Sequence, residues 1–268
     1  MSGPDAARYW HLAGGGVVPR PFVLRRLLPW VCGQDERRWW IVCVGGWLLT
    51  GAGMFGWVVQ RADWRVAAAA TVLLLGLPGI LGPHVVTPVG VDIVATGFVL
   101  CGVAAFEAGV WWMALSLWLI AAGVKESAPV WAALFAWSPV ALVALIVPAA
   151  IGVVRKPGPD PTGPKGQFIA DHPVKSALMF HRGRWRDGWL LVAPWGVTLA
   201  ALVDPSWTLF AVLVVAHLQL LVATDTVRLV AHGAGPVMAL AAAETIPVEW
   251  LLLACVLHVV WFKQPERV

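Results

Sequence analysis

The sequence predicts an all-α, polytopic membrane protein of about eight to ten transmembrane helices, with a short surface helix ahead of the first span. Three observations carry this reading. Of 268 residues, 59% are hydrophobic and only 13% charged, with a mean hydropathy of +0.77, a balance foreign to soluble domains of this length. The apolar residues fall into long runs broken by short polar stretches. Eighteen tryptophans stand against one tyrosine and nine phenylalanines. Many of them close apolar runs (Trp39, Trp40, Trp64, Trp111, Trp112, Trp189, Trp207, Trp250, Trp261), where an interfacial aromatic belt places them.

Residues 1–38 precede the first run and form an extramembrane, juxtamembrane segment. Read as helix, Asp5, Tyr9 and Leu12 share one face, and Arg8 and His11 another. Gly14, Gly15 and Gly16 stop that helix, and Pro19 and Pro21 impose an extended stretch. VLRRLLPWV then reads as a short amphipathic helix whose arginines sit at lipid headgroups, so a membrane-surface anchor is the plain alternative for this segment.

A first bundle follows over 39–154, with candidate spans at 39–59, 66–82, 91–108, 110–124 and 128–154. The last of these holds Ser138-Pro139 at its middle and is one kinked helix or a hairpin of two short ones. Residues 155–188 change character. RKPGPDPTGPKGQ reads as a flexible surface connection, and FIADHPVKSALMFHRGRWRDGW as a surface helix ending in a basic stretch. With seven Lys/Arg against three Asp, this loop is a cytoplasmic positive-inside loop or a wall of a phosphate site. A second bundle spans 189–262, with runs at 189–203, 207–223, 229–243 and 250–262, and 263–268 is a tail. All five segments belong to one structural domain.

The net charge of +4 suits anionic lipid or phosphate rather than nucleic acid, because the basic residues flank apolar spans. Four cysteines without CxxC or Cys/His spacing argue against a zinc site or a disulfide framework. The first twenty residues lack the apolar core of a cleavable signal, so the first span is expected to direct insertion. No Walker A, GxGxxG, HExxH or GxSxG pattern occurs, which removes the usual signatures of nucleotide-driven transport, zinc proteolysis and G-x-S-x-G serine hydrolysis. No repeat supports an inverted-repeat transporter.

Ionisable groups within apolar surroundings each need a reason. Asp92 lies at the start of a run, either as a site residue or as an acid favouring a helix N-terminus. Lys125 and Glu126 join two runs, as site residues or as a polar turn in which Glu126 and Ser127 cap the next helix. Asp225 and Arg228, spaced i, i+3, are site residues or a self-satisfied pair. Glu107, His84, His217, His232, Glu244, Glu249 and His258 read as ordinary interface or capping groups.

Taken in order, several of these stretches resemble integral-membrane glycosyltransferases of the GT-C type, which take sugars from polyprenyl-phosphate carriers. Asp5 and Tyr9, then Pro21, Phe22, Arg25 and Pro29, are similar to that family's acid-aromatic element and the Pro-Phe, Arg and Leu-x-Pro that follow it. Pro88 with Asp92, Lys125 with Glu126, and Asp225, Thr226, Arg228, Leu229 with Pro236 are similar to its later elements. The order holds along most of the chain. The resemblance implies a short, pared-down member whose translocated N-terminus starts in what is elsewhere the first extracytoplasmic loop. It implies Asp5 as general base toward an acceptor hydroxyl and Arg25 and Arg228 as phosphate ligands. Tyr9, Asp92, Lys125, Glu126 and Asp225 would line the substrate site, with Asp92, Lys125 and Glu126 orienting the sugar or holding the arginines. The implied partners are a polyprenyl-phosphate-sugar donor (mannose first), a protein, lipid or glycan acceptor, and the bilayer. No cofactor is required; a divalent metal is compatible, but no acid cluster demands it. The expected location is the cell membrane, with the site at its extracytoplasmic face.

Nine simple spans put Asp5, Asp92 and Glu126 on one face and Arg228 on the other. A hairpin at 128–154 returns Arg228 to their face and carries the basic loop with it. Two other classes compete: a lipid-linked-sugar flippase or small-solute transporter, with its charges near mid-membrane, and a non-catalytic membrane assembly protein, with its charges dispersed and locally paired. Convergence of Asp5, Arg25, Glu126 and Arg228 on one cavity separates the first reading from the others.

Overall fold

In a computed structural model the chain is described over residues 4–77, 79–80, 90–182, 195–221 and 226–261, with backbone alone at 4, 181–182, 220, 226–230 and 259–261. All regular structure among the described residues is helical, without a strand. α1 (Pro4–Ala13) ends where Gly15 takes a φ of 86°, a left-handed conformation that suits glycine. A 3₁₀ turn (Phe22–Leu24) and the short α2 (Leu27–Cys32) lead into the 23-residue α3 (Glu36–Val58), capped by Asp35 accepting from the amides of Arg37 and Arg38. α4 (Trp64–Leu75) is capped in the same way by Asp63. α5 (Asp92–Glu107) and α6 (Trp111–Val124) complete the central sheaf.

The α3–α5 pair sets the spacing of everything else. A methyl on Gly53 would stand 2.6 Å from the Cys101 backbone nitrogen, and one on Gly46 2.9 Å from Val94 Cα. Both contacts are closer than side chains tolerate, so the two backbones meet only because these positions are glycine. Thr50, fully buried between them, shares its hydroxyl proton between the Gly46 and Ile93 carbonyls and is thus satisfied within the seam.

The run 128–154 is a reversal. α7 (Ala128–Phe135) ends at Trp137, which has a φ of 48°, and Ser138 restarts the chain by accepting from the Val140 amide. A 3₁₀ segment (Pro139–Leu145) and α8 (Ile146–Val154) run back beside α6, with Val147 at Gly123 and Gly152 at Leu24. Beyond it stand α9 (Pro164–Asp171) and α10 (Pro173–Arg182), then a 3₁₀ segment (Gly196–Leu202) and α11 (Trp207–Leu218). α12 (Thr226–Thr245) packs on α4 and α11, and α13 (Leu251–Trp261) returns to α4.

Among the described residues α3 alone is long and apolar enough to cross a bilayer by itself. Residues 231–245 of α12 and residues 248–258 reach that length together but are bent by 115°. α4, α6, residues 139–154 and α11 are apolar and shorter. The surface matches that composition: Trp30, Trp64, Trp111, Trp112 and Trp207 are among many large apolar side chains left exposed. Trp39 departs from the expected belt. It is fully buried, packs at a tilt against the Tyr9 ring and donates its indole N–H to the Gly33 carbonyl.

Two further expectations are corrected. Arg25 and Arg26 do not ride on an amphipathic helix; α2 begins after them, because Arg25 (φ −93°, ψ 60°) breaks the turn. Nor is 155–167 a free surface connection. Gly158 donates to the Val18 carbonyl, the Asp160 amide donates to Gln167 Oε1, and the Asp160 side chain is buried. Pro164 starts α9 at its first turn, a position proline suits.

Candidate functional site

The N-terminal segment closes over one end of the helix bundle and brings its charges onto those of the bundle. Arg25 donates to Glu126 through both edges of its guanidinium, Nε to Oε2 and Nη2 to Oε1, each at 2.7 Å. Its Nη1 donates to the Tyr9 hydroxyl at 2.8 Å. Arg8, the residue before Tyr9 on α1, donates to Asp160 Oδ2 from Nε (2.9 Å) and Nη2 (2.6 Å), and to Asp5 Oδ1 from Nη1 (3.0 Å). Phe22 joins the two halves: the Arg8 and Arg25 guanidinium carbons lie 4.6 and 5.0 Å from its ring centroid, and Tyr9 meets its edge at 5.5 Å.

One peptide from Glu126, Lys125 turns inward and pairs with Asp92, the first residue of α5, and both side chains are almost fully buried. Two elements separated by the whole of α5 and α6 thus meet at one end. Beneath this pair lies a cavity of about 20 Å³, lined by Asp92, Thr96, Lys125, Trp131 and His232, with the Thr96 hydroxyl 2.9 Å from the His232 ring. It has room for about one water. On the outer side, Pro19, Arg20, Gly158, Gln167 and Asp171 border an open concavity of about 580 Å³, within the range of small-ligand sites.

The electrostatics follow from burial and pairing. Burial works to raise the Glu126 carboxyl, but the Arg25 charge and hydrogen bonds, helped by Lys125, hold it below the ordinary carboxylate range. Burial likewise opposes ionisation of Asp160, and the hydrogen bonds from Arg8 and Thr162 overcome it and leave that carboxyl depressed. Burial drives the Tyr9 phenol well above its usual value despite the neighbouring Arg25, so Tyr9 stays neutral and accepts from Arg25.

Asp5, Tyr9, Arg25, Asp92, Lys125 and Glu126 therefore stand at one end of the bundle, with Tyr9 and Glu126 bonded to Arg25, Asp5 bonded to Arg8 across the Phe22 ring, and Asp92–Lys125 beside them. Asp225 and Pro88 lie outside the described residues. Arg228 is described by its backbone alone, at the start of α12. His232, one turn on, meets Thr96, one turn inside α5 from Asp92. Glu244, near the other end of α12, comes within electrostatic reach of Arg61. The α12 start is thus directed to the same end as Asp92. Glu126 does not cap α7; its carboxylate is turned to Arg25, and Ser127 caps without a side-chain hydrogen bond.

Two participants carry no prior assignment from sequence: Arg8 and Asp160. Faint signals existed for both. Arg8 stands three residues after Asp5, an ion-pair spacing on a helix. Asp160 stands two before Thr162, and its carboxylate accepts from the Thr162 amide and hydroxyl in a local Asx turn. Among the described residues no group of three His, Cys, Asp or Glu is placed to hold a metal ion. Comparison with known protein families, curated proteins and solved structures finds no match to this chain.

Proposed function

We propose that this chain is a multi-pass membrane glycosyltransferase that moves a sugar, mannose first, from a polyprenyl-phosphate carrier to an acceptor hydroxyl at the extracytoplasmic face of the cell membrane. The single observation that carries the reading is the convergence of Asp5, Tyr9, Arg25 and Glu126, with Asp92 and Lys125 beside them. Burying that many ionisable groups at one end of an apolar bundle is costly and needs a functional return.

In this reading the acceptor hydroxyl, on a protein, lipid or glycan, gives its proton to Asp5 as its oxygen bonds the anomeric carbon. The anomeric C–O bond to phosphate breaks, and the carrier leaves as a phosphate. Asp5 suits the task by position: at 27% exposure it is the most open of the four network carboxylates, against 22% for Glu126, 5% for Asp92 and 0% for Asp160. Arg8 holds it in place. Arg25, oriented by Glu126, has spent three of its five N–H groups, and the remaining two are available to leaving-group charge. Arg228 is the second phosphate ligand in this scheme. Asp92 and Lys125 neutralise each other beneath it and stiffen the floor.

A second reading has its own observation. Arg8, Arg25 and Lys125 each already hold a carboxylate, as in a non-catalytic membrane assembly protein whose charges serve only to dock its N-terminus. The experiment that separates the two is sugar transfer in membranes bearing the chain, with radiolabelled polyprenyl-phosphate-mannose and -glucose. Wild type is expected to transfer, and Asp5→Asn at equal protein level to lose about two to four orders of magnitude of rate. Transfer indifferent to Asp5→Asn removes the proposed base, and absence of transfer from both donors favours the assembly role.

A further inference from the structure

Arg25 and its neighbour Arg26 face different surroundings. Arg25 is spent on Glu126 and Tyr9, whereas Arg26 lines an outward-facing trough on the far side of the same loop. With Leu27 and Trp30 it forms one wall; Leu119 and Gly123 of α6 form the floor, and Val147 and Ile151 of α8 the other wall. The trough encloses about 470 Å³. Val147, Ile151 and Arg155 are spaced i, i+4, i+8, so Arg155, at the α8 C-terminus, stands at the end of that second wall. Burial and then the Arg155 charge lower the Arg26 guanidinium from its ordinary value, which places the two cations in electrostatic reach of each other.

Nothing described answers those cations. Among the described residues no carboxylate pairs with Arg26 or Arg155, and Arg26 Nε is buried without a hydrogen-bond partner. A buried donor left unmet beside a like charge is unfavourable twice over. The rest of the trough is apolar and open, with Trp30 82% exposed. Paired guanidiniums at one end of an open apolar channel complement an amphiphile with an anionic head and a hydrocarbon tail.

We propose that Arg26 and Arg155, with this trough, bind an anionic phospholipid of the surrounding bilayer, its phosphate between the two guanidiniums and one acyl chain along Trp30, Gly123 and Ile151. The assignment rests on the membrane reading and is independent of the transferase chemistry. Its consequence is that bilayer charge clamps the loop carrying Arg25, and so the network above it.

The test uses the full chain purified in a neutral detergent, with bound lipid counted by native mass spectrometry during titration with phosphatidylglycerol or with phosphatidylcholine of the same chains. Phosphatidylglycerol is expected to be retained preferentially. Arg26→Gln and Arg155→Gln should each weaken it by about five-fold, and the double substitution by about twenty-five-fold. Arg38→Gln, at an exposed arginine already paired with Asp35, should leave it unchanged. Thermal unfolding checks that each variant is folded, and Arg26→Gln removes an unmet cation rather than a partner. Equal retention of the two lipids, or a double variant that binds phosphatidylglycerol as wild type does, overturns the proposal. Inorganic phosphate competing at the same concentrations as the lipid reassigns the pair to a free anion and overturns it. So does a polyprenyl monophosphate that binds while phosphatidylglycerol does not, since the trough then belongs to the carrier. A chain recovered from cells without detergent overturns this proposal and the membrane reading together. A membrane-bound chain without lipid preference overturns this one alone.

Discussion

Each end of the bundle carries an arginine locked to a glutamate, and the two pairs are built to different ends. At the first end, Arg25 and Glu126 lie 101 residues apart in sequence, with side chains only 11% and 22% exposed. Further charges stand around them. At the other end Arg61 grips Glu107, which also accepts from the Trp57 indole N–H at 3.0 Å. That arginine is 42% exposed, and its guanidinium rests over the Trp57 ring. The second pair simply closes the polar edge where α3 and α5 end. An ion pair alone therefore says little about function; company and shielding distinguish the first end from the second.

The comparison breaks most sharply at Lys125. Lys125→Met removes the ammonium paired with the Asp92 carboxylate in a site where that carboxylate is 5% exposed, and should lower stability by about 3–5 kcal/mol. Chemical unfolding in detergent measures it, and Asp92→Asn/Lys125→Met should recover part of the loss. A double variant no better than the single would mean that Asp92 has another adequate partner. Arg25→Met comes next, at about 3 kcal/mol, because Glu126 is slightly more open. Its signature should be local: limited proteolysis should cut near Gly14–Gly16 and Pro157–Pro159 before the bundle yields. Simultaneous loss of the whole fold would make the N-terminal segment part of the core rather than a cover.

Acid sharpens the same contrast. Glu126 and Asp160 both titrate below their ordinary values, so their stabilisation is complete above the unfolded carboxylate range and is lost as pH falls through the lower folded values. Protease resistance of the cover should hold from neutral pH down to about 5 and fail below about 4. In Glu126→Gln the remaining loss should be shallower, since of the two depressed carboxylates only Asp160 is left. A cover lost near pH 6 would implicate a histidine instead. The smallest effect belongs to the other end. Arg61→Gln should cost less than about 1 kcal/mol and leave cover proteolysis untouched.

Residue chemistry made much of this end legible in advance. An acid and an aromatic four residues apart, a Pro-Phe and an arginine, and a Lys-Glu between apolar runs each stood out because an apolar chain carries few such groups. Their companions did not. Asp160 sits among prolines and glycines with no apolar period, so pattern reading leaves it on the surface; its burial depends on Arg8, 152 residues away. Periodicity reports neighbours along one helix, whereas this contact exists only after the reversal at Trp137 carries the chain back. Trp39 was misplaced for a similar reason. A tryptophan at the end of an apolar run fits a belt equally well, and only the arrival of α1 with Tyr9 makes it core. Helix starts are by contrast local features: Asp35, Asp63 and Ser206 each accept from amides of the turn they open.

The turn at Trp137 and Ser138 also bears on how apolar stretches are counted. A chain that traverses a layer changes sides with every passage, and a reader who counts apolar stretches counts sides. Residues 128–154 make an excursion that ends where it started: Glu126 at its outset is bonded to Arg25, and Asp160 just past its finish is bonded to Arg8 of the same N-terminal cover. The excursion contributes length and apolar surface and returns to the end of the bundle it left. Residues 158–160 are thereby tied to the N-terminal cover at the same end of the bundle as Glu126, and that end is closed by segments far apart in sequence.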